Sequence, residues 1–268
     1  MAGPIAAVLW FSLFDWNIIR GTLEFIGLDN FARLVASPEV AEVARITLIF
    51  GIGFVPLTVV GGLALAVAIN SRTRVSLILR SFYFLPVVIS LAAWALVWQL
   101  MLQPKGPVNA VLEMLFGINE VPWLRDSTLA LVVLIGVQIP TALGYIMVLF
   151  LAALQTVPSD LREAARVDGA SDGQVFRSIT LPVIAPFTFM VTILLTISSF
   201  KSFALIFLIT GGGPGLATTV MPLYIYQQGL QLFEMGYASA LAVLLFVTVL
   251  FITGIQFLVR RRWVYEGA

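Results

Sequence analysis

Five stretches of this chain run for twenty or more residues without a single acidic side chain: Ile46–Ile69, Phe82–Leu102, Leu129–Leu154, Val183–Ile209 and Tyr237–Val259. A helix needs about 20 apolar residues to cross the hydrocarbon layer of a bilayer. Inside lipid, each backbone amide must find its partner within the chain, so runs of this length are helices, not isolated strands. Lys201 is the only charge in any of the five. Composition agrees: hydrophobic residues make up 60% and charged residues 11% of 268, with a mean hydropathy of +1.03. So few charges cannot cover the surface of a soluble fold of this size. The expected class is an all-α polytopic membrane protein, with residues 1–268 forming one membrane domain. Pro4–Phe14 is too short to cross alone and ends in Asp15 and Trp16. It reads as the outer half of a truncated first helix whose start is lost or lies upstream, which gives about six transmembrane helices.

Several function classes are excluded at this stage. Cysteine and histidine are both absent, which removes thiol chemistry and the commonest general base and metal ligand. A net charge of +1 gives no reason to expect a nucleic-acid partner. The spans contain no Asp, Glu or His, the residues from which proton relays are built. No Gly-x-x-x-x-Gly-Lys-Ser/Thr loop is present; Gly211–Gly215 is glycine-rich but lacks the lysine and reads as a turn at a helix end. Neither ATP binding nor proton coupling is therefore expected of this chain.

Basic residues set the expected orientation. Arg72, Arg74 and Arg80 fall in one connection, Arg162, Arg166 and Arg177 in another, and Arg260, Arg261 and Arg262 open the tail. With alternating spans these share one face, the cytoplasmic one. The acid-richer connections, 17–45, 103–127 and 210–236, then face outward.

The cytoplasmic connection at about 155–182 carries the most specific pattern. Glu163-Ala164-Ala165 is followed by Asp168-Gly169-Ala170, then Phe176, Ile179 and Leu181-Pro182. The pattern reads as two short amphipathic helices. Ser159 or Asp160 would cap the first and Ser171 or Asp172 the second, with a turn at Gly169. Small Ala164 and Ala165 permit close approach by another protein, and Glu163 offers it a charge. This stretch resembles the Glu-Ala-Ala loop of permease subunits in binding-protein-dependent ABC importers. Phe25–Phe31, Thr210–Pro214 and Gly236–Ala240 are similar to segments of the first permease type in the carbohydrate-uptake family, as in the maltose and glycerol-3-phosphate systems. Phe203-Ala204 departs from the Phe-Asp pair common there.

The resemblance implies the type I permease arrangement in a bacterial or archaeal plasma membrane, with the loop and the C-terminus cytoplasmic. It implies a coupling role for Glu163, Ala164, Ala165, Asp168, Gly169, Ala170, Leu181 and Pro182. It also implies partners: a second related permease, two copies of an ATPase that holds ATP and Mg, an extracytoplasmic solute-binding protein and membrane lipid. No cofactor is expected in this chain. The implied solute is a sugar or oligosaccharide; a glycerol-phosphate-type solute or another polyol is the alternative, and a receptor or scaffold without transport is the reading from a different class.

Polar residues at membrane depth are costly and face a cavity or another helix. Gln138, Thr141 and Tyr145 repeat at i, i+3 and i+7, on one helical face. Ser198, Ser199 and Ser202 repeat at i, i+1 and i+4. Both sets suit sugar hydroxyls, and the resemblance places them along the transport cavity. Packing between helices is the competing reading for the serines. Lys201 is a candidate gate or a side chain that snorkels to the interface. Trp94 and Trp98 read as packing or interface anchors.

Overall fold

A computed structural model describes residues 2–71 and 73–263, with side chains described as far as Arg260. Arg72, and the side chains of Arg261 and Arg262, lie outside the described residues. The chain order is α1 (Ala2–Phe11), β1 (Phe14–Asn17), β2 (Thr22–Phe25), α2 (Asp29–Ala36), α3 (Pro38–Ala68), α4 (Arg74–Val88), α5 (Leu91–Met101), α6 (Pro107–Phe116), α7 (Ser127–Gln155), α8 (Ser159–Val167), α9 (Asp172–Val175), α10 (Leu181–Phe200), α11 (Ala204–Ile209), α12 (Met221–Tyr226) and α13 (Met235–Trp263). Two π-turns, Phe176–Thr180 and Gln227–Gln231, interrupt the helices. Four helices among the described residues are long and apolar enough to cross a membrane: Pro38–Ala68, Ser127–Gln155, Asp172–Phe200 and Met235–Arg260. The pair α4 and α5 adds a fifth crossing if it counts as one broken span. With the short α1, this is the expected polytopic arrangement.

Three sequence expectations change. Phe82–Leu102 is not one straight helix: α4 and α5 meet at a bend of 95°. Pro86 removes one rung from the last turn of α4, and the β-branched run Val87-Val88-Ile89 propagates a helix poorly. Ile89 and Ser90 are both extended, with ψ of 137° and 129°. Val183–Ile209 is also divided. Its helix starts earlier and stops at Phe200, where the N–H groups of Lys201 and Ser202 turn back to Ser198 O at 3.2 Å and Ser199 O at 3.1 Å. Finally, the segment after α1 folds into a small antiparallel hairpin, Phe14 opposite Phe25 and Asn17 opposite Thr22. Asn17 Oδ1 accepts the N–H groups of Ile19 and Arg20, each at 3.0 Å, and so closes the turn.

The chain divides into two compact units. The first comprises 1–52, 90–137 and 198–251. Its core includes Leu34, Val43, Met221, Tyr224, Tyr237 and Leu241. Thr47, fully within α3, donates to Val43 O at 2.7 Å and accepts the Met221 N–H at 2.9 Å, so it satisfies an orphan donor at the start of α12. The glycine-rich stretch is a buried polar knot. Thr210 and Thr218 share a hydroxyl bond of 2.8 Å, Thr218 donates to Gly213 O at 2.8 Å, and Thr219 donates to Gly212 O at 3.0 Å. Gly212 has φ +99°, a conformation side-chain-bearing residues avoid, and a Cβ there would strike Thr219 Oγ1. Gly212→Ala is expected to cost about 1–3 kcal/mol; an unchanged thermal midpoint of the purified protein would contradict this.

The second unit comprises, among the described residues, 53–71, 73–89, 138–197 and 252–263. Here α3, α4 and α7 approach through glycines. A Cβ on Gly62 would lie 2.6 Å from Ile146 Cγ2, and one on Gly144 would lie 2.8 Å from Phe84 Cα. Small residues at crossings are how membrane helices bring their backbones together. Arg80 donates to Ile69 O at 2.9 Å and Ser71 O at 3.1 Å, which caps the C-terminal end of α3.

Candidate functional site

Residues 155–182 form a helix, a reverse turn and the start of a span. The first cap is neither Ser159 nor Asp160: Pro158 holds the N-cap position and offers no side-chain bond, while the Ser159 hydroxyl donates to Asp160 at 3.1 Å. The far end of α8 is closed by its backbone. Gly169 N–H donates to Arg166 O at 3.1 Å and Ala170 N–H to Ala165 O at 2.9 Å, with Gly169 at φ +85°. This paired 5→2 and 6→1 closure needs a left-handed residue at that point, which accounts for glycine in Asp168-Gly169-Ala170. Asp168 is the C-cap. Ser171 caps α9 as expected: its N–H and hydroxyl both donate to Gln174 Oε1, at 2.8 and 3.0 Å. The expected second short helix is not separate, because α9 runs through the π-turn into α10 as the single span Asp172–Phe200.

The π-turn has a local cause. Pro182 has no N–H and its ring would clash with the carbonyl four residues back in a regular helix. The wider turn relieves this, and Leu181 N–H bonds Phe176 O, five residues back.

No residue of α8 is buried. Leu161 is 51% and Val167 87% exposed, and Glu163, Ala164 and Asp168 are exposed beside them. Leu161, Ala164, Ala165 and Asp168 lie at i, i+3, i+4 and i+7, so one face of α8 carries an exposed leucine, two small alanines (Ala165 half-buried) and, at its end, a carboxylate. The Arg166–Asp172 ion pair, 2.8 Å long, is itself exposed and contributes little to stability.

Of the candidate solute residues, Gln138, Thr141 and Tyr145 belong to the second unit. Gln138 Nε2 donates to Thr141 Oγ1 at 3.1 Å, and Thr141 Oγ1 donates to Gln138 O at 2.6 Å. Both are half-buried and Tyr145 is 47% exposed, so one face of α7 presents an amide, a hydroxyl and an aromatic ring. Ser198, Ser199 and Ser202 belong to the first unit and do not share one helix. Ser198 is exposed near the end of α10, Ser202 lies in the break, and Ser199 is buried at 3% exposure. Ser199 Oγ would be 3.3 Å from a Cβ on Gly51, the contact of a packing residue. Lys201 is exposed in the same break. Trp94 and Trp98 pack edge to face at 5.9 Å, and Trp94 Nε1 donates to Val137 O at 3.0 Å, so they anchor helices within the first unit.

Two polar clusters were not anticipated. Arg33 pairs with Glu234 at 2.8 Å and lies 4.1 Å over the Tyr237 ring. Burial, ahead of the nearby Tyr237 and Glu39, pushes the Tyr224 phenol up to about 12, so it stays neutral in that core. Asn109, buried in α6, accepts from Trp123 Nε1 at 2.9 Å and from Val121 N–H at 3.2 Å, and donates to Pro104 O at 3.0 Å. It thereby organises the 103–127 connection. Sequence spacing gives no signal for a 33–234 contact, although a lone Asn in an apolar helix is a cue for the second.

Residues 58–265 match the family model of the inner membrane component of binding-protein-dependent transport systems. The chain belongs to this family. It is a multi-pass inner-membrane component of a transport system. Among similar proteins, the trehalose/maltose transport system permease protein MalF of Thermococcus litoralis is 33% identical over 251 residues, covering 93% of this chain and 84% of that one. The sulfoquinovosyl glycerol transport system permease protein SmoG of Agrobacterium fabrum is 31% identical over 254 residues, covering 94% and 82%. The same fold occurs in a bacterial alginate ABC transporter crystallised with an alginate pentasaccharide-bound periplasmic protein. That match has a TM-score of 0.86 at 24% identity, covering 100% of this chain and 91% of the other.

Proposed function

We propose that the protein is the permease subunit of an ATP-driven, binding-protein-dependent importer of a sugar or oligosaccharide, and that α8 and the turn after it are where a separate ATPase engages it. The observation that carries this is α8 itself. It is a folded helix in a permease-family chain with no buried residue, and Leu161 and Ala164 stand exposed on one face beside the half-buried Ala165. A helix needs burial of such a face to be stable, and a cleft on an ATPase subunit supplies it. ATP and Mg belong to that partner, since the chain has no phosphate loop.

The remaining assignments follow. The Arg-rich connections and the C-terminus face the cytoplasm. Two ATPase copies close on ATP and draw this loop together with its counterpart on a second, related permease, and the helices alternate between inward and outward openings. A binding protein delivers solute from outside. The face of Gln138, Thr141 and Tyr145 offers sugar hydroxyls donors and acceptors, and offers the apolar ring face an aromatic surface. Ser198 and Ser202 line the pathway separately, Lys201 stands at its gate, and Ser199 holds helices together. Sugar-transport relatives support the choice of solute.

The test is a reconstituted complex of both permeases, the ATPase and the binding protein in proteoliposomes. A matching sugar is expected to stimulate ATP hydrolysis and to accumulate inside. Gln138→Leu is expected to raise the half-saturating sugar concentration about tenfold, the effect of a lost hydrogen bond at a buried polar contact, with membrane insertion unchanged. Stimulation by glycerol phosphates and by no sugar would replace the substrate class. Docking without any stimulated hydrolysis would leave a scaffold.

A further inference from the structure

The second unit carries a groove of about 390 Å³ between α10 and the end of α13 that the transport scheme does not use. Its walls are apolar: Ala185 and Phe189 on α10, Ile255 and Val259 on α13. Arg260 closes one end, with its guanidinium carbon 5.7 Å from the Phe189 ring centre. No carboxylate among the described residues lies within salt-bridge reach of Arg260. One turn deeper, about 6 Å along the helix, Gln256 Nε2 donates to Thr196 Oγ1 at 2.8 Å, while its Oε1 is buried without a partner. Ile255 is 44% and Val259 48% exposed, so the walls open outward from the helix pair.

The sequence of surfaces is therefore cation, one polar atom, then apolar cleft, and it begins where the apolar span Met235–Arg260 ends. That order matches the bilayer depth profile. A fixed guanidinium at the interface seeks a phosphodiester, and an uncovered apolar cleft below it fits an acyl chain. A partner helix would fill the cleft but would have to bring an acid to that depth to match the cation.

We propose that this groove is a binding site for one anionic phospholipid, with its phosphodiester on Arg260 and an acyl chain along Phe189, Ile255 and Val259. The leaflet is the one the Arg-rich face meets, the cytoplasmic leaflet on the orientation proposed above. Leu181, directly after the π-turn, lines the same groove. The lipid thus stands against the root of the span that follows α8.

The intact transporter complex, released from bilayers of mixed phosphatidylglycerol and phosphatidylcholine with matched chains, tests this by native mass spectrometry. Wild type is expected to retain phosphatidylglycerol about fivefold over phosphatidylcholine, the preference one interfacial arginine confers. Arg260→Gln should abolish the preference, and Ala185→Phe, which fills the cleft, should remove the retained lipid of either kind. In Glu163→Lys the lipid ratio, read on the permease whether or not the ATPase stays bound, should be normal, so failure of the coupling assignment and failure of the lipid site are separable. Absence of preference in wild type, or preference unchanged in Arg260→Gln, overturns the proposal. So does an efficient cross-link to the second permease from Thr188→Cys, on the α10 wall of the groove, which would make the groove a subunit contact. Should Ala185→Phe not assemble, the wild-type ratio and Arg260→Gln decide alone.

Discussion

Glu163→Lys is expected to reduce solute uptake about a hundredfold, the scale on which reversing one charge at a docking contact acts, while the chain still folds and inserts. Loss of coupling and loss of stability, which usually travel together, separate at this position. Glu163 lies on α8, and no residue of that helix is buried. A substitution on such a helix shifts stability by within about 0.5 kcal/mol. Nor does Glu163 hold the turn, because Gly169 and Ala170 close α8 through backbone bonds to Arg166 and Ala165. Loss of function must then come from the partner's side. The checks are uptake, co-purification of the ATPase and the thermal midpoint of the permease, measured on the same preparation. Normal uptake, or a midpoint lowered along with it, removes the coupling role from Glu163. Glu163→Gln keeps the shape and is expected to lose less.

Gly144→Leu carries the largest structural penalty expected in the second unit. Gly144 is buried in α7, and a Cβ there would collide with Tyr83 O and lie 2.8 Å from Phe84 Cα. These are backbone atoms of α4, so no side-chain rotation relieves the clash; the helices must separate. Overpacking of this kind costs about 3 kcal/mol, which lowers a thermal midpoint by roughly 6–12 °C in a chain of this size. Because Gly144 sits between Thr141 and Tyr145, separation would also displace the candidate solute face. Uptake and midpoint should fall together, the opposite of Glu163→Lys. A midpoint within a degree of wild type would mean that α4 and α7 do not meet as closely as described.

Length and charge carried most of the fold. Twenty-residue runs without acids admit few structures in lipid, so α7 and α13 were legible with near-correct limits, whereas α3 starts at Pro38, eight residues before the expected Ile46, because Glu39, Glu42 and Arg45 in its first turns read as outward connection. The breaks were not. A hydropathy average over Phe82–Leu102 sees only apolar residues, whereas the bend depends on three β-branched residues between Pro86 and Ser90. The same average carried Val183–Ile209 through Lys201. The hairpin of Phe14–Phe25 escaped because strands of four residues have no period to detect. In the coupling loop, the turn at Gly169 and the Ser171 cap were readable, since both follow from short-range chemistry. The Ser159 or Asp160 cap failed where Pro158 took the position. The serine set fared least well: spacing put Ser198, Ser199 and Ser202 on one helix, and only the helix end at Phe200 and the contact of Ser199 with Gly51 separate them.

The π-turn at Phe176–Thr180 has a consequence for anyone recombining such chains. A π-turn holds one residue more than the α-helical turn it replaces, and each residue advances an α-helix by about 100°. Every side chain from Leu181 to Phe200 therefore faces about 100° away from where uninterrupted counting from Asp172 would put it. A chimera that took residues 155–175 from another permease and joined them to α10 one residue short would keep the motif, the hydrophobicity and the span length. It would nevertheless turn Thr188, Thr192 and Thr196 toward the wrong neighbours. Splice points for loop exchange belong after Pro182 or before Pro158, not inside the turn.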